Sequence, residues 1–506
     1  MSLAIENSKP GVTVLVNQSQ VGSVVQRQPT STAFAVGYAP WGPVDKATTV
    51  LSWADYVRQF GGFNSNSYLA SFAYIFFNNF KGATAVISRV VGASAAVATN
   101  TMMDRAGTPI ATLRVDALYP SSTVDVRRKV EAGTATNTVK LTFRSVKLGI
   151  TEVYDNFDLS AAAIGEINQK SKLVKLTNLA SATASPNNLP AVAAEAILAG
   201  GNDDFSAINA ARYIGTDDGT TRTGLQAFNS ELLGTGQVAI PGITSTAVHA
   251  ALVAHAEAYH RLALLDPPLG SDKGDVAAIR ALYGTWYASL AWPWFEARDF
   301  SGVTDLKMFY PPSAAVAGAC AQADRTVGVH KAPANFVIPE ALDVERAAGD
   351  QMQADEPTLE YLNGKDVNVI LRIPEGGIRV YGARVMTADR RIQMMHEIRL
   401  LNLCYYSLKT AYRYAVFSVV GEALFRELAS VARAFLRNLW RSGALYGRKE
   451  TDAFAVACNE NNNPPDDLAA GRVHVDIGVK ISPTAETIIV KIDNVPLSQD
   501  LGVLAQ

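Results

Sequence analysis

Apolar runs closed by Gly or Pro and followed by helical patterns recur along this chain, and they constrain its fold more than any other feature. Ala33–Tyr38 leads through a Pro40–Pro43 loop to a helix over Trp53–Phe60, capped by Ser52 and stopped by Gly61 and Gly62. A helix near Tyr68–Asn79 and an apolar strand over Ala83–Val91 follow. The rhythm returns later. Leu225–Leu233 has a helical pattern, Val238–Ile240 stops at Pro241, Thr246–Tyr259 is helical, Arg261–Asp266 ends at Pro267 and Pro268, and Asp275–Tyr283 is helical again. Strands that are apolar throughout, without alternation, are buried on both faces, which is the pattern of a parallel sheet covered by helices. The expectation is an α/β core.

That core is interrupted. From Thr112 to Leu179 the strands alternate, as in Val139–Arg144, with Ser, Thr, Gly and Asn between them. Alternation means one exposed face, so an all-β insertion is expected over 96–195, dividing the core domain into 26–95 and 196–345. Acids mixed with Gly349, Pro357 and Gly364 suggest a linker over 346–366. A C-terminal α+β domain over 367–484 follows. Its expected elements are strands at Val367–Ile373 and Ile378–Ala383, a long helix from Arg390 to Val420, a helix over Leu424–Trp440, a polar loop Cys458–Asp466 and a strand over Arg472–Ile481. Two more short strands, Val12–Val16 and Thr487–Ile492, stand at the ends of the chain, in arms spanning 1–25 and 485–506. The expected fold class is therefore multidomain, α/β and α+β, with terminal strands that could be exchanged.

Among 506 residues with 48% hydrophobic and 18% charged side chains and a net charge of −2, nothing suggests disorder or a generally basic nucleic-acid binder. No signal peptide and no membrane-spanning run is expected. Cys320, Cys404 and Cys458 lie far apart, so disulfide and zinc frameworks are poorly supported. The neutral total hides an asymmetry: residues 390–450 hold eleven Lys or Arg against four Glu, a local charge of +7 that leaves −9 for the rest.

Much of that charge lies on one helix. Leu424, Phe425, Leu428, Val431, Ala432, Phe435, Leu436, Leu439 and Trp440 fill one arc of the Leu424–Trp440 wheel, and Arg426, Arg433, Arg437 and Arg441 gather on the opposite side. A basic stripe of this kind is commonly only a solvated surface. The sharper alternative is a face for an acidic partner. Nucleic acid is disfavoured by the acidic remainder and by the lack of interleaved exposed aromatics.

Read in order, the chain resembles the sheath protein of contractile bacteriophage tails and related contractile injection systems. The resemblance rests on Pro10-Gly-Val-Thr-Val14, the Thr30–Pro43 block, Phe60-Gly-Gly62, Ile240-Pro-Gly242, Leu265-Asp-Pro-Pro268, Pro311–Gly318, Lys331–Asn335, Val380-Tyr-Gly-Ala-Arg384, Phe435–Leu445 and Asn463–Arg472. The chain departs from the pattern at Ser313–Ala315, where many relatives carry glycine near the paired prolines. The resemblance implies a structural subunit that polymerises as six-subunit rings around an inner tail tube and contracts to drive it through the bacterial envelope, with no cofactor and no metal. It implies arms that add strands to neighbouring subunits, here through Val12, Val14, Val16, Ile488, Val490 and Ile492, and a last domain facing the tube, here through Arg426, Arg433, Arg437 and Arg441. The implied partners are other copies, the tail tube, and baseplate and tail terminator proteins, with no nucleic acid and no membrane insertion. The implied location is the tail of a virion assembled in the cytoplasm of a bacterial host.

Two other readings compete with it. Asp266 ends a strand before a loop, where α/β hydrolase-like enzymes place catalytic groups, and His330 lies in another loop. Yet no G-x-S-x-G elbow, phosphate loop or H-E-x-x-H pair accompanies them, and Asp266 before two prolines also fits a turn cap. The third reading is a non-contractile, self-assembling shell or filament protein.

Overall fold

Six strands that are apolar on both faces pair side by side and in parallel. In the computed structural model, which describes residues 25–302, 306–345, 356–373, 376–389 and 391–486, their spatial order is Ala85–Arg89, Ala33–Gly37, Gln237–Ala239, Leu262–Leu265, Ala288–Trp292 and Val367–Ile373. Antiparallel strands complete a nine-stranded sheet. Thr48–Val50 borders Ala85–Arg89 on one side, and Gly377–Val380 then Phe336–Val337 close the other.

The pleat sends alternate side chains to opposite layers. Ala33, Ala35, Ala85, Ile87, Leu262 and Leu264 join one apolar cluster with the Leu69–Tyr74 and Pro312–Thr326 helices. Phe34, Val36, Val86, Val238, Ala263 and Leu265 join a second, with the Thr246–Ala258 helix. The Pro312–Thr326 helix is built largely of small residues and sits very close to its neighbours: a Cβ on Gly318 would lie 2.2 Å from Cδ2 of Phe80.

Residues 99–197 form two antiparallel sheets. One orders Ala193–Ile197, Arg127–Ala132, Val139–Ser145 and Ile150–Phe157, and the other Thr99–Met103, Ala111–Ala117 and Val174–Asn178. They share an apolar cluster of their own, which also takes in Trp41 from the loop after the Ala33–Gly37 strand. The C-terminal part contains the Met395–Ala411 and Glu422–Arg441 helices and a two-stranded sheet of Phe454–Ala457 against Asp476–Val479.

Several sequence expectations change. Val367–Ile373 and Gly377–Val380, expected to open a separate C-terminal domain, are members of the central sheet. Part of the expected linker is the Glu356–Asn363 helix, whose Leu362 is wholly buried. The expected 390–420 helix runs only from Met395 to Ala411 and ends in a 3-10 turn at Tyr412–Ala415, because Val416, Val419, Val420 and Gly421 disfavour continuation. Leu225–Leu233 is two 3-10 turns, Gly224–Phe228 and Glu231–Leu233. Asn229 separates them, and Ser230 accepts a hydrogen bond from Leu232 N–H instead of continuing a helix. Val12, Val14, Val16, Ile488, Val490 and Ile492 lie outside the described residues.

Candidate assembly face and its internal anchors

The Glu422–Arg441 helix docks through Leu424, Phe425, Leu428, Val431, Ala432, Phe435, Leu436 and Leu439, all buried, and Trp440 closes its end by donating to the Gly447 carbonyl at 2.9 Å. The four arginines on its outer arc are not equivalent. Arg426 is exposed and pairs along the helix with Glu422 at 3.0 Å. Arg433 donates to the carbonyl of Val456 at 3.1 Å, reaching the two-stranded sheet. Arg437 grips the Glu450 carboxylate with two bonds of 2.7 and 2.9 Å, and that guanidinium holds the carboxyl below its usual range. Arg441 is exposed, and among the described residues it has no carboxylate at ion-pair distance. Arg437 therefore serves mainly inside the subunit, while Arg433 and Arg441 leave more charge for a partner.

Both ends of the described chain run over the Met395–Ala411 helix. On the N-terminal side, Gln28 N–H donates to Ser407 Oγ at 3.3 Å, and Thr30 Oγ1 donates to Asp324 at 2.6 Å, a carboxylate that also pairs with buried Arg399 at 2.6 Å. On the C-terminal side, Ser482 donates to the Gly443 and Ala444 carbonyls, and His396 Nε2 donates to the Ser482 carbonyl at 3.3 Å. Glu486 then meets Arg384 in a two-bond pair of 2.6 and 3.1 Å. Arg384 also contacts Asp366, whose other oxygen holds Arg280. The last described residues are thus clasped to the edge of the central body.

Asp266, the candidate catalytic group of the enzyme reading, is 2% exposed. Its Oδ1 accepts the Ser313 N–H at 2.7 Å, and its Oδ2 accepts the Ser313 hydroxyl at 2.7 Å and the Gly242 N–H at 3.0 Å. The carboxylate thus ties a strand end to the first turn of the Pro312–Thr326 helix and to the turn after the neighbouring strand. Burial pushes it up to about 6, with these donors pulling the other way. Ser313 supplies two of the three bonds. A carboxylate with its oxygens so engaged is a fastener, and the paired prolines pointed to half of it.

Besides Arg399, two more buried cations escaped the sequence reading. Arg89 lies wholly inside the fold and donates to the carbonyls of Ala39, Gly42 and Pro120 at 2.6, 2.8 and 2.7 Å, joining the central sheet to the loop before it and to the β-rich part. Arg261, also buried, donates to Phe228, Ser230 and Gly234 carbonyls and lies over the Phe34 ring at 4.1 Å. The only signal was a charge at each strand's border. The histidines do not converge. His249 and His255 are buried apart on one helix, and burial pushes them down to about 4 and about 3. His330 is distant in sequence and is likewise pushed down by burial. Among the described residues no group of three or more His, Cys, Asp or Glu could hold a metal, and no helix is long and apolar enough to cross a membrane. Burial pushes the Cys320 and Cys404 thiols up to about 11 and about 12.

This layered, mixed α/β body is similar in fold to subunits of contractile sheaths. Over its whole length the chain is similar to a subunit of the sheath complex of the extracellular contractile injection system PVC in its contracted state, with a TM-score of 0.57, 17% identity, and 99% of this chain and 100% of that one covered. Residues 225–386 match the family model for the phage tail sheath protein central domain. The chain is 26% identical over 274 residues to a protein of Pseudomonas aeruginosa (strain UCBPP-PA14) described as a prophage major tail sheath protein, covering 52% of this chain and 67% of that one. A shorter match, 25% identical over 167 residues, is to the tail sheath protein of Vibrio phage KVP40, covering 33% of this chain and 24% of that protein. Residues 225–386 are thus similar to the central domain of phage tail sheath proteins, and both of these relatives are described as tail sheath proteins.

Proposed function

We propose that this chain is the structural subunit of a contractile tail sheath, polymerising as stacked six-subunit rings around an inner tail tube and shortening to drive that tube through a bacterial envelope. The observation that carries the reading is the end-to-end likeness to a sheath subunit, joined to the match of the central domain. Contraction of such a polymer needs two packings of the same subunit with different free energies, so the stored work lies in interfaces and requires no cofactor.

The two-stranded sheet supports the exchange of arms. A sheet of two short strands is marginal alone, and its edges are suited to strands added from other copies. In this reading Val12, Val14 and Val16 of one neighbour and Ile488, Val490 and Ile492 of another supply them. Arg433 and Arg441, with Arg426 next and Arg437 least, face an acidic tube through contacts of about 0 to 1 kcal/mol each, numerous enough to hold and weak enough to release. Baseplate and tail terminator proteins are the remaining partners, and the virion tail, assembled in the bacterial cytoplasm, is the location.

Electron microscopy of the purified protein with and without tubes tests this. Striated hollow tubes of two lengths support a sheath, uniform filaments support a non-contractile shell protein, and dispersed monomers refute both. Removing residues 485–506 is expected to leave a folded monomer. Reversing charge at Arg433 and Arg441 is expected to reduce loading on tubes and make it less salt-sensitive.

A further inference from the structure

The connection between the Met395–Ala411 and Glu422–Arg441 helices projects an apolar tip. Phe417 is fully exposed at 102%, Val419 is 91% exposed, Val416 62%, Tyr414 43% and Val420 38%. No residue from Tyr414 to Gly421 carries a formal charge. Together these five side chains offer on the order of 500 Å² of apolar surface. That equals the largest patch a monomer usually leaves bare, and exceeds half of one partner's share, roughly 800 Å², in a standard interface.

The tip is also ordered in advance. Tyr412 donates to the Leu428 carbonyl at 3.1 Å, and Ser418 N–H donates to the Ala415 carbonyl at 3.1 Å. Phe417 sits at φ 68°, a left-handed conformation that a bulky side chain adopts only at a cost. Nothing among the described residues of the subunit repays it, since the ring touches solvent on every side.

We propose that this tip docks on a second copy of the chain and is a self-assembly contact of the polymer. The proposal rests on the sheath reading. It assigns the tip to a copy and not to the tube on grounds of charge and solubility. The tube reading calls for an acidic surface opposite Arg433 and Arg441, and a tip without charge is no complement to it. A tube laid bare when its sheath shortens must also stay soluble in water, which disfavours an apolar receptor of this size on it. A neighbouring copy stays in contact throughout and can keep such a surface covered.

The test compares wild type with Phe417→Ser combined with Val419→Ser, both too exposed to carry the fold; matching unfolding midpoints check this. Each protein is titrated for self-assembly without tubes, at low and high salt, and separately for loading on tubes. The expected result is a concentration for self-assembly raised at least tenfold in the variant at both salt levels. Self-assembly at the wild-type concentration overturns the proposal, and if loading on tubes alone is impaired the tip belongs to the tube. A wild-type chain that never polymerises overturns this proposal and the sheath reading together; equal polymerisation of both proteins overturns this one alone.

Discussion

Replacing Asp266 with alanine separates a fastener from a reactive group, and the structure sets both the size and the pH dependence of the effect. The change leaves the N–H groups of Ser313 and Gly242 buried without their acceptor, at about 1–3 kcal/mol each, so roughly 2–6 kcal/mol in all. Against this stands the cost of burying the carboxylate's charge. Asp266 loses its proton near 3.8 when unfolded and near about 6 when folded, so at neutral pH the charged form gives up about 3 kcal/mol, at ~1.4 kcal/mol per pH unit. The sign follows from proton counting. Between those two values the folded state holds a proton that the unfolded state has released, so the contribution is complete only below 3.8, shrinks as pH rises from there and is gone above about 6. The alanine variant is therefore expected to be less stable than wild type by roughly 2–6 kcal/mol at pH 4 and by about 3 kcal/mol less than that at pH 7.5. Urea unfolding of the two proteins at both pH values measures it, and the buried histidines titrate in both and drop out of the difference. A gap that does not change with pH, or no gap at either, refutes the argument.

Arg89→Met leaves the carbonyls of Ala39, Gly42 and Pro120 without their donor; a loss of about 3–5 kcal/mol is expected, with limited proteolysis cutting first within residues 99–197. Gly318→Ala places a methyl group against the Phe80 ring and is expected to cost about 1–3 kcal/mol. Adding Phe80→Leu should recover part of it, a coupling that a double-mutant cycle in chemical denaturation detects. His249 and His255 are kept neutral by burial at about 4 and about 3, whereas the unfolded chain takes up protons below about 6.5. Stability is therefore expected to fall by about 3 kcal/mol per histidine as pH drops from 6.5 towards 4. Unfolding midpoints across that range, with His255→Gln flattening the curve, check the sign.

The α/β body was legible because a parallel strand must be apolar on both faces, and Ala33–Gly37, Ala85–Arg89 and Leu262–Leu265 show this in their own residues. What pairs with a strand is not written locally. Val367–Ile373 reads as the start of something new, yet it lies beside Ala288–Trp292, far back in the chain. The same limit governs the candidate sites. The arc of Arg426, Arg433, Arg437 and Arg441 follows from helical spacing alone, but the withdrawal of Arg437 depends on Glu450, beyond a turn that spacing does not describe. Asp266 could be read as a turn cap from its prolines; its partner Ser313 belongs to a helix three strands later. The tip around Phe417 reads as more helix, because an apolar stretch announces burial and only the folded chain shows that it has none.

The borders of the central sheet bear on how copies can meet. The sheet ends in Thr48–Val50 on one side and in Phe336–Val337, two residues long, on the other. Borders so short present too few backbone donors and acceptors for another chain to zip onto them. The largest hydrogen-bonding surface in the molecule is thus withheld from association. A polymer made from this subunit must be joined by side chains and by segments outside that sheet, contacts that neighbours can trade one at a time without opening the body itself.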